Sequence, residues 1–85
     1  MYKLGISNTA LKQLEKLDEV LYLRISDKIN NLEINPRPNG SIKLSEKEGY
    51  RIRVGNFRIL YTINDDEKVI VVYHVSHRKD VYKRK

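Results

Sequence analysis

The sequence contains no cysteine. This absence excludes disulfides, thiolate metal sites and cysteine nucleophiles. No apolar run approaches the ~20 residues that a helix needs to cross a bilayer, and residues 1–5 lack the apolar stretch of a secretory signal. We therefore expect a cytoplasmic protein with no membrane segment.

Motifs for several kinds of site are absent as well. No His, Asp and Glu residues have the spacing of metal ligands, and no Ser-His-Asp set can be assembled. The sequence has four glycines, of which Gly49 and Gly55 are typical of turns and not of a phosphate-binding loop. The sequence therefore predicts no metal and no cofactor.

The chain has 85 residues and a formal net charge of +6. A chain of this length is expected to form one domain, residues 1–85, around a single small core. Residues 41–85 carry eleven basic and six acidic residues, against six and five in residues 1–40. The positive charge is thus concentrated in the second half, whose natural partners are polyanions: RNA, DNA or an acidic protein.

The first half of the sequence predicts a short strand and two helices. Residues 2–6 alternate apolar and other residues, as a strand does. Any of residues 7–9 can cap a helix with an apolar stripe, which consists of Leu11, Leu14 and Leu17.

A second helix follows directly, so the two helices should form an antiparallel hairpin. Asp18 can cap this helix, which should reach about Leu32. Two prolines and a glycine in residues 35–40 end it. Its candidate buried positions are Val20, Leu21, Leu23, Ile25, Ile29 and Leu32.

After residue 40 the hydrophobic period changes from 3.6 to 2. We predict strands over residues 41–45, 50–54, 57–63 and 68–75. The last strand is apolar on both faces, as expected of a strand that is covered on both sides. The order β-α-α-β-β-β-β predicts an α+β fold, with the helical hairpin packed on one face of a mainly antiparallel sheet of four to five strands.

The turn at Gly55-Asn56 sets a register that can be derived from the sequence. A two-residue loop with glycine first favours a type II′ turn. It places Arg53 directly opposite Arg58, with Arg51 one pleat further along the same face. Like charges in direct opposition are destabilising, and guanidiniums suit phosphate. The pattern therefore predicts either an anion site or an exposed basic face.

Chemically active side chains also follow the last strand. If residues 78–82 form one helical turn, Arg78 and Tyr82 project to the same side. A phenol near cations can transfer a proton, although a C-terminal tyrosine is more often a packing residue. His77 can titrate near neutrality, whereas His74, inside the strand, is expected to be structural.

These residues resemble the RelE/ParE toxin superfamily, and its RelE branch most. The resemblance rests on residues 50–61, which are YRIRVGNFRILY, on residues 77–82, which are HRKDVY, and on the helical hairpin followed by NPRPNG. It implies a cytoplasmic toxin of a type II toxin–antitoxin pair with a RelE-like fold. Such a toxin is an endoribonuclease, an mRNA interferase that cuts mRNA in the ribosomal A site by metal-independent attack of the ribose 2′-hydroxyl on the adjacent phosphate.

The resemblance also implies roles for individual residues. Arg51, Arg53 and Arg58 would hold the phosphate, Tyr82 would be the general base, and Arg78 would stabilise the leaving 5′-oxygen while His77 or a water supplies the proton. Lysines are familiar at the first two positions, where this sequence has arginines. Further basic residues are expected to bind RNA: Lys43, Lys79, Lys83 and Arg84.

The implied partners are the ribosome, mRNA and a neutralising RelB-like antitoxin in a hetero-oligomer. Three other interpretations stay open. The chain could be a ParE-like DNA gyrase inhibitor without nuclease activity, a basic RNA-binding module without catalysis, or a degenerate toxin that is not toxic.

Overall fold

A strand, two helices and four further strands follow one another along the chain. The structure, a computed structural model, describes residues 1–77. Its elements are β1 (Lys3–Ile6), α1 (Asn8–Glu15), α2 (Glu19–Asn31), β2 (Ile42–Lys43), β3 (Tyr50–Val54), β4 (Phe57–Asn64) and β5 (Val69–His77). The predicted element order is confirmed.

Local capping bonds fix where both helices begin. The Ser7 hydroxyl accepts a hydrogen bond from the backbone N–H of Ala10 at 3.1 Å. The Asp18 carboxylate accepts one from the N–H of Leu21 at 2.9 Å. Each bond satisfies an N–H group that the helix itself leaves without a partner. The predicted cap at Asp18 is confirmed, and of the three candidate caps at residues 7–9 it is Ser7 that caps α1.

The five strands form one mixed sheet in the order β1-β5-β4-β3-β2. Strand β1 runs parallel to β5, with Lys3 opposite Val69, and the other neighbours are antiparallel. A parallel neighbour requires a long crossover connection, which the helices and strands in between provide. The α+β class with a mainly antiparallel sheet is confirmed.

The core lies between the helices and one face of the sheet. Helices α1 and α2 contribute Ala10, Leu14, Ile25, Ile29 and Leu32. The sheet contributes every second residue of its central strands, as its period of 2 requires: Ile52, Val54, Ile59, Tyr61, Ile70 and Val72. The remaining alternate positions of these strands lie on the opposite face, away from the helices.

Two expected core positions on α2 are wrong. Val20 is 70% exposed and Leu23 is 57% exposed. The buried stripe is formed by Ile25, Ile29 and Leu32, at helical spacings of four and three. Val20 and Leu23 lie on the outer side of the helix relative to this stripe. The prediction was wrong because it took account of the hydrophobicity of these residues and not of their angular position around the helix axis.

Strand β2 is shorter than the predicted 41–45. It pairs only with Arg51 and Tyr50 of β3, because the chain turns back at once: the Leu44 N–H donates to the Gly49 carbonyl at 3.0 Å. Gly49 has φ +125, and a β-carbon there would lie 2.8 Å from the Tyr61 carbonyl oxygen. Only glycine fits this position without a shift of the backbone.

Strand β5 is covered by helices on one face only. Ile70, Val72 and Val75 are buried under them. On the other face, Val71 and Tyr73 are half-buried. The expectation of cover on both sides therefore holds only in part within residues 1–77, because the two helices form a single layer.

A polar cluster ties the loop after α2 to the sheet. Arg37 pairs with Asp65 at 2.8 Å, and its Nε donates to the Tyr50 hydroxyl at 3.0 Å. The Tyr2 hydroxyl donates to the same carboxylate at 2.6 Å. The hydrogen bonds from Arg37 and then from Tyr2 lower the pKa of Asp65. The cluster thus joins loop 35–40, β3 and the β4–β5 turn to Tyr2, the residue just before β1.

Candidate functional site

Three arginines lie on the face of the sheet that points away from the helices. Arg53 is directly opposite Arg58 across β3 and β4, and Arg51 is opposite Leu60. Their neighbours Ile52 and Ile59 are buried in the core, so strand alternation turns the arginines to the other side. The cross-strand pairing predicted from the hairpin is confirmed. We call Arg51, Arg53 and Arg58 the arginine face.

The turn between β3 and β4 fixes this arrangement. Gly55 has φ +59, and among the described residues Lys68 is the one non-glycine with positive φ. Asn56 therefore has negative φ, as the second central residue of a type II′ turn does. Since a two-residue turn allows only one register, the opposition of Arg53 and Arg58 follows from the turn.

The arginine face has no carboxylate to neutralise it within residues 1–77. The ion pair observed within residues 1–77 joins Arg37 and Asp65, which belong to the polar cluster around the loop after α2 and not to the arginine face. Arg53 is exposed, whereas Arg51 and Arg58 are half-buried. Among the described residues, the Nε of Arg58 is buried and has no hydrogen-bond partner. A buried donor without a partner is costly, so a bound anion would satisfy both a charge and a hydrogen bond here.

Two concave surfaces adjoin the arginine face. A small depression of about 20 Å³ lies at the hairpin and is lined by Arg53, Gly55, Asn56, Phe57 and Arg58. A larger groove of about 380 Å³ lies along the edge of β3 and is lined by Lys28, Asn39, Gly40, Ile42, Arg51, Ile52 and Arg53. Each is lined by two of the three arginines, so both are accessible to a ligand bound at the arginine face.

His77 and Lys43 lie elsewhere. His77 ends β5 opposite Phe57, and the two rings meet edge to face with centroids 5.1 Å apart. Phe57 alternates with Arg58, so this pair belongs to the helix side of the sheet. Lys43 is exposed opposite Tyr50 on the same side. Neither residue joins the arginine face.

Five of the predicted site residues lie outside the described residues. They are Arg78, Lys79, Tyr82, Lys83 and Arg84. Their roles stay predictions. Among residues 1–77, no group of three His, Asp or Glu side chains comes together in a way that could hold a metal ion. None of the helices there has the length and hydropathy to span a bilayer.

The structure adds two neighbours to the arginine face. Ser76 is opposite Arg58, and His74 is opposite Leu60. Both therefore share the arginines' side of the sheet. Ser76 is 8% exposed, so it forms part of the sheet surface beneath the Arg58 side chain. The sequence gives no signal for either residue, because an irregularity between Leu60 and Tyr61 shifts the β4–β5 register and hides the alternation.

A glutamine on α1 holds the neighbouring edge of β5. The Gln13 side-chain oxygen accepts a hydrogen bond from the Val75 N–H at 2.6 Å. Its amide nitrogen lies 3.4 Å from Nδ1 of His74. Strand β1 pairs with β5 only as far as Val72. Beyond that point, among the described residues, the Gln13 side chain provides the hydrogen-bond acceptor for the Val75 N–H that a neighbouring strand would otherwise provide.

The Tyr73 hydroxyl is buried on the arginine side of the sheet. It has no hydrogen-bond partner among residues 1–77. It lies 3.5 Å from the position that a β-carbon on Gly49 would occupy. Burial raises the pKa of Tyr73.

The chain is similar along most of its length to toxins of type II toxin–antitoxin systems. The family model for the ParE toxin of the type II toxin–antitoxin system parDE matches residues 4–82. Toxin RelG of Mycobacterium tuberculosis is 31% identical, over 98% of both chains.

Solved structures of toxin–antitoxin complexes have the same fold. In the complex RelBE2 from Mycobacterium tuberculosis, the matching chain gives a TM-score of 0.80 at 25% identity, covering 91% of this chain and 98% of that one. In the RelB–RelE complex from Methanococcus jannaschii, the TM-score is 0.77 at 28% identity, covering 95% and 98%.

Proposed function

Because the chain belongs to the RelE/ParE superfamily of type II toxins, as its match over residues 4–82 establishes, we propose that it cuts messenger RNA. The substrate is mRNA in the ribosomal A site, and the result is inhibition of translation. The observation that carries the proposal is the arginine face: three arginines share one face of the sheet without an ion-paired carboxylate in residues 1–77. Such a surface fits a phosphodiester.

The proposed reaction is a metal-independent transesterification. The ribose 2′-oxygen forms a bond to the adjacent phosphorus, and the bond from phosphorus to the 5′-oxygen breaks. The products are a 2′,3′-cyclic phosphate and a 5′-hydroxyl. One proton leaves the 2′-hydroxyl and one reaches the 5′-oxygen, so the reaction needs a base and an acid.

The arginine face supplies charge stabilisation in this reaction. Negative charge grows on the non-bridging oxygens of the phosphate, and guanidinium N–H groups can bind these oxygens. The buried Nε of Arg58, which has no protein partner in the described chain, supports this role, because an N–H group without a partner would gain a hydrogen bond from a phosphate oxygen. Arginine keeps its proton at any ordinary pH, so these residues do not transfer protons.

The proton transfers are assigned by resemblance. Tyr82 would take the 2′-hydroxyl proton, and Arg78 would stabilise the leaving 5′-oxygen. His77 or a water would deliver the second proton. The contact of His77 with Phe57 on the helix side favours the water.

We further propose that an acidic, RelB-like antitoxin neutralises this toxin in a cytoplasmic hetero-oligomer. The similar toxins of two organisms are found in complexes with antitoxins. The basic half of this chain offers charge complementarity to an acidic segment that wraps it.

A second candidate function is inhibition of DNA gyrase without nuclease activity. It is favoured by the description of the matching family as ParE toxins. The arginine face favours the nuclease, because a protein that only blocks an enzyme has no need for opposed cations that destabilise its own sheet.

Primer extension on mRNA in programmed ribosomes tests the proposal. The wild type should produce cuts confined to the A-site codon. Arg58→Ala should lower the cleavage rate on the order of 10²–10³-fold, and Tyr82→Phe should lower it strongly. Lys12→Ala, an exposed residue of α1, is the matched control and should cut normally.

The same preparation distinguishes the second candidate. If the wild type arrests growth but produces no cuts, the nuclease proposal is wrong. Loss of gyrase supercoiling activity on adding the protein would then support the gyrase inhibitor.

A further inference from the structure

Two basic side chains of α2 lie beside the edge of β3. Arg24 and Lys28 are one helical turn apart, so they share one flank of the helix. Nη2 of Arg24 lies 3.9 Å from the point that a β-carbon on Gly55 would occupy. Lys28 lines the groove of about 380 Å³ together with Arg51 and Arg53. We call Arg24 and Lys28 the basic flank.

Within residues 1–77, part of the edge of β3 between the basic flank and the arginine face has no paired strand. Strand β2 pairs only with Tyr50 and Arg51, so residues 52–54 have no strand neighbour on that side. Asn39, Gly40 and Ile42 line this stretch of the groove. The same groove brings Lys28 of α2 together with Arg51 and Arg53 of β3.

The groove is basic along its length. The described residues that line it include three cations and no carboxylate. Asp27, which is next to Lys28 in the sequence, is exposed and is not among them. Neither cation of the basic flank has an ion-pair partner in residues 1–77.

We propose that the basic flank binds the RNA backbone next to the nucleotide held by the arginine face. Arg24 and Lys28 would each contact a phosphate of the same strand as it passes round the edge of β3. The choice of RNA rests on the proposed function. A protein partner is disfavoured, because protein interfaces need apolar or aromatic anchors and no aromatic residue lines this groove.

The test measures RNA binding without cleavage. The probe is a short fluorescein-labelled 2′-O-methyl oligoribonucleotide, which has no free 2′-hydroxyl to react. Fluorescence anisotropy gives the binding constant at salt concentrations from roughly 50 to 200 mM. Each phosphate contact to a single strand contributes about 0.7 to the slope of log K against log salt. The double variant Arg24→Gln, Lys28→Gln should therefore reduce the slope by about 1.4.

Matched variants separate a local contact from a general charge effect. Lys12→Gln with Lys16→Gln removes the same charge from exposed positions on and after α1 and should leave the slope unchanged. Arg24→Lys with Lys28→Arg keeps both positive charges, so this variant should retain most of the wild-type slope. Thermal unfolding of all three double variants verifies that each is folded.

Three results would overturn the proposal. The first is an unchanged slope in the Arg24→Gln, Lys28→Gln protein, and the second is an equal reduction of the slope in the α1 control. The third is unchanged RNA binding with weakened binding of an acidic antitoxin peptide, which would assign the basic flank to a protein partner. A protein that keeps the predicted slope difference but cuts no mRNA on ribosomes refutes the nuclease and not the basic flank.

Discussion

Neutralising one member of the opposed arginine pair should stabilise the protein. Arg53 and Arg58 face each other directly across β3 and β4, and no carboxylate in residues 1–77 screens them by an ion pair. Cross-strand pairs contribute about 0.2–1 kcal/mol, and two charges ~6 Å apart in water repel by about 0.7 kcal/mol. We expect Arg53→Gln to raise the free energy of unfolding by about 0.5 kcal/mol. For a domain of this size the melting temperature should rise by about 2–4 °C.

The assay is thermal unfolding followed by circular dichroism at low and at high salt. Arg51→Gln is the matched control, because Arg51 opposes Leu60 in β4 and not a cation. At roughly 1 M salt the Debye length is about 3 Å, so the advantage of Arg53→Gln should nearly vanish.

A double-mutant cycle isolates the repulsion. If the two charges repel, the combined Arg53→Gln, Arg58→Gln protein should gain less stability than the two single variants added together. The reasoning is refuted if Arg53→Gln is no more stable than Arg51→Gln at low salt, or if its gain does not depend on salt. A stabilised variant that has lost cleavage activity would show that the site is maintained at the expense of the fold.

Three further predictions concern the framework of the site. Gly49→Ala should lower the melting temperature well beyond Gly40→Ala in the same unfolding assay, because both glycines have positive φ but only the first meets backbone within 3 Å. Asp65→Asn should destabilise the protein at neutral pH, since Arg37 lowers the pKa of Asp65. The difference in unfolding free energy between the wild type and Asp65→Asn should be at its maximum above the ordinary carboxyl pKa of about 4. It should disappear as the pH falls through the lowered pKa of Asp65. Urea unfolding midpoints measured across this pH range check the prediction. Gln13→Ala should cost about 1–3 kcal/mol in urea unfolding, because it leaves a strand-edge N–H of β5 without its acceptor, whereas Gln13→Glu keeps an acceptor and should cost less.

The features that could be predicted from the sequence depend on neighbours in the chain. The caps at Ser7 and Asp18 require only residues three positions away. The opposition of Arg53 and Arg58 requires only a two-residue turn. In these cases residue type and spacing allow only one local conformation, so the cap or the strand register can be predicted without knowledge of the rest of the fold.

The features that could not be predicted depend on distant parts of the chain. The bond from Val75 to Gln13 joins residues 62 positions apart. The position of the basic flank beside the β3–β4 turn depends on Arg24 packing near Gly55, which lies thirty-one residues further along the chain. The short length of β2 depends on where the chain turns back after it, although residues 41–45 alternate like a longer strand.

The parallel pairing of β1 with β5 has a consequence for the order of folding. Lys3 pairs with Val69, so the first strand has no partner until nearly the whole chain has been synthesised. Contacts between such distant residues form late and slow the folding reaction, and N-terminal segments leave the ribosome first. Strand β4, which carries Arg58, also has β5 as its neighbour. A nascent chain therefore cannot complete its sheet before β5 has been synthesised, even though the β3–β4 hairpin that carries the three arginines can pair earlier.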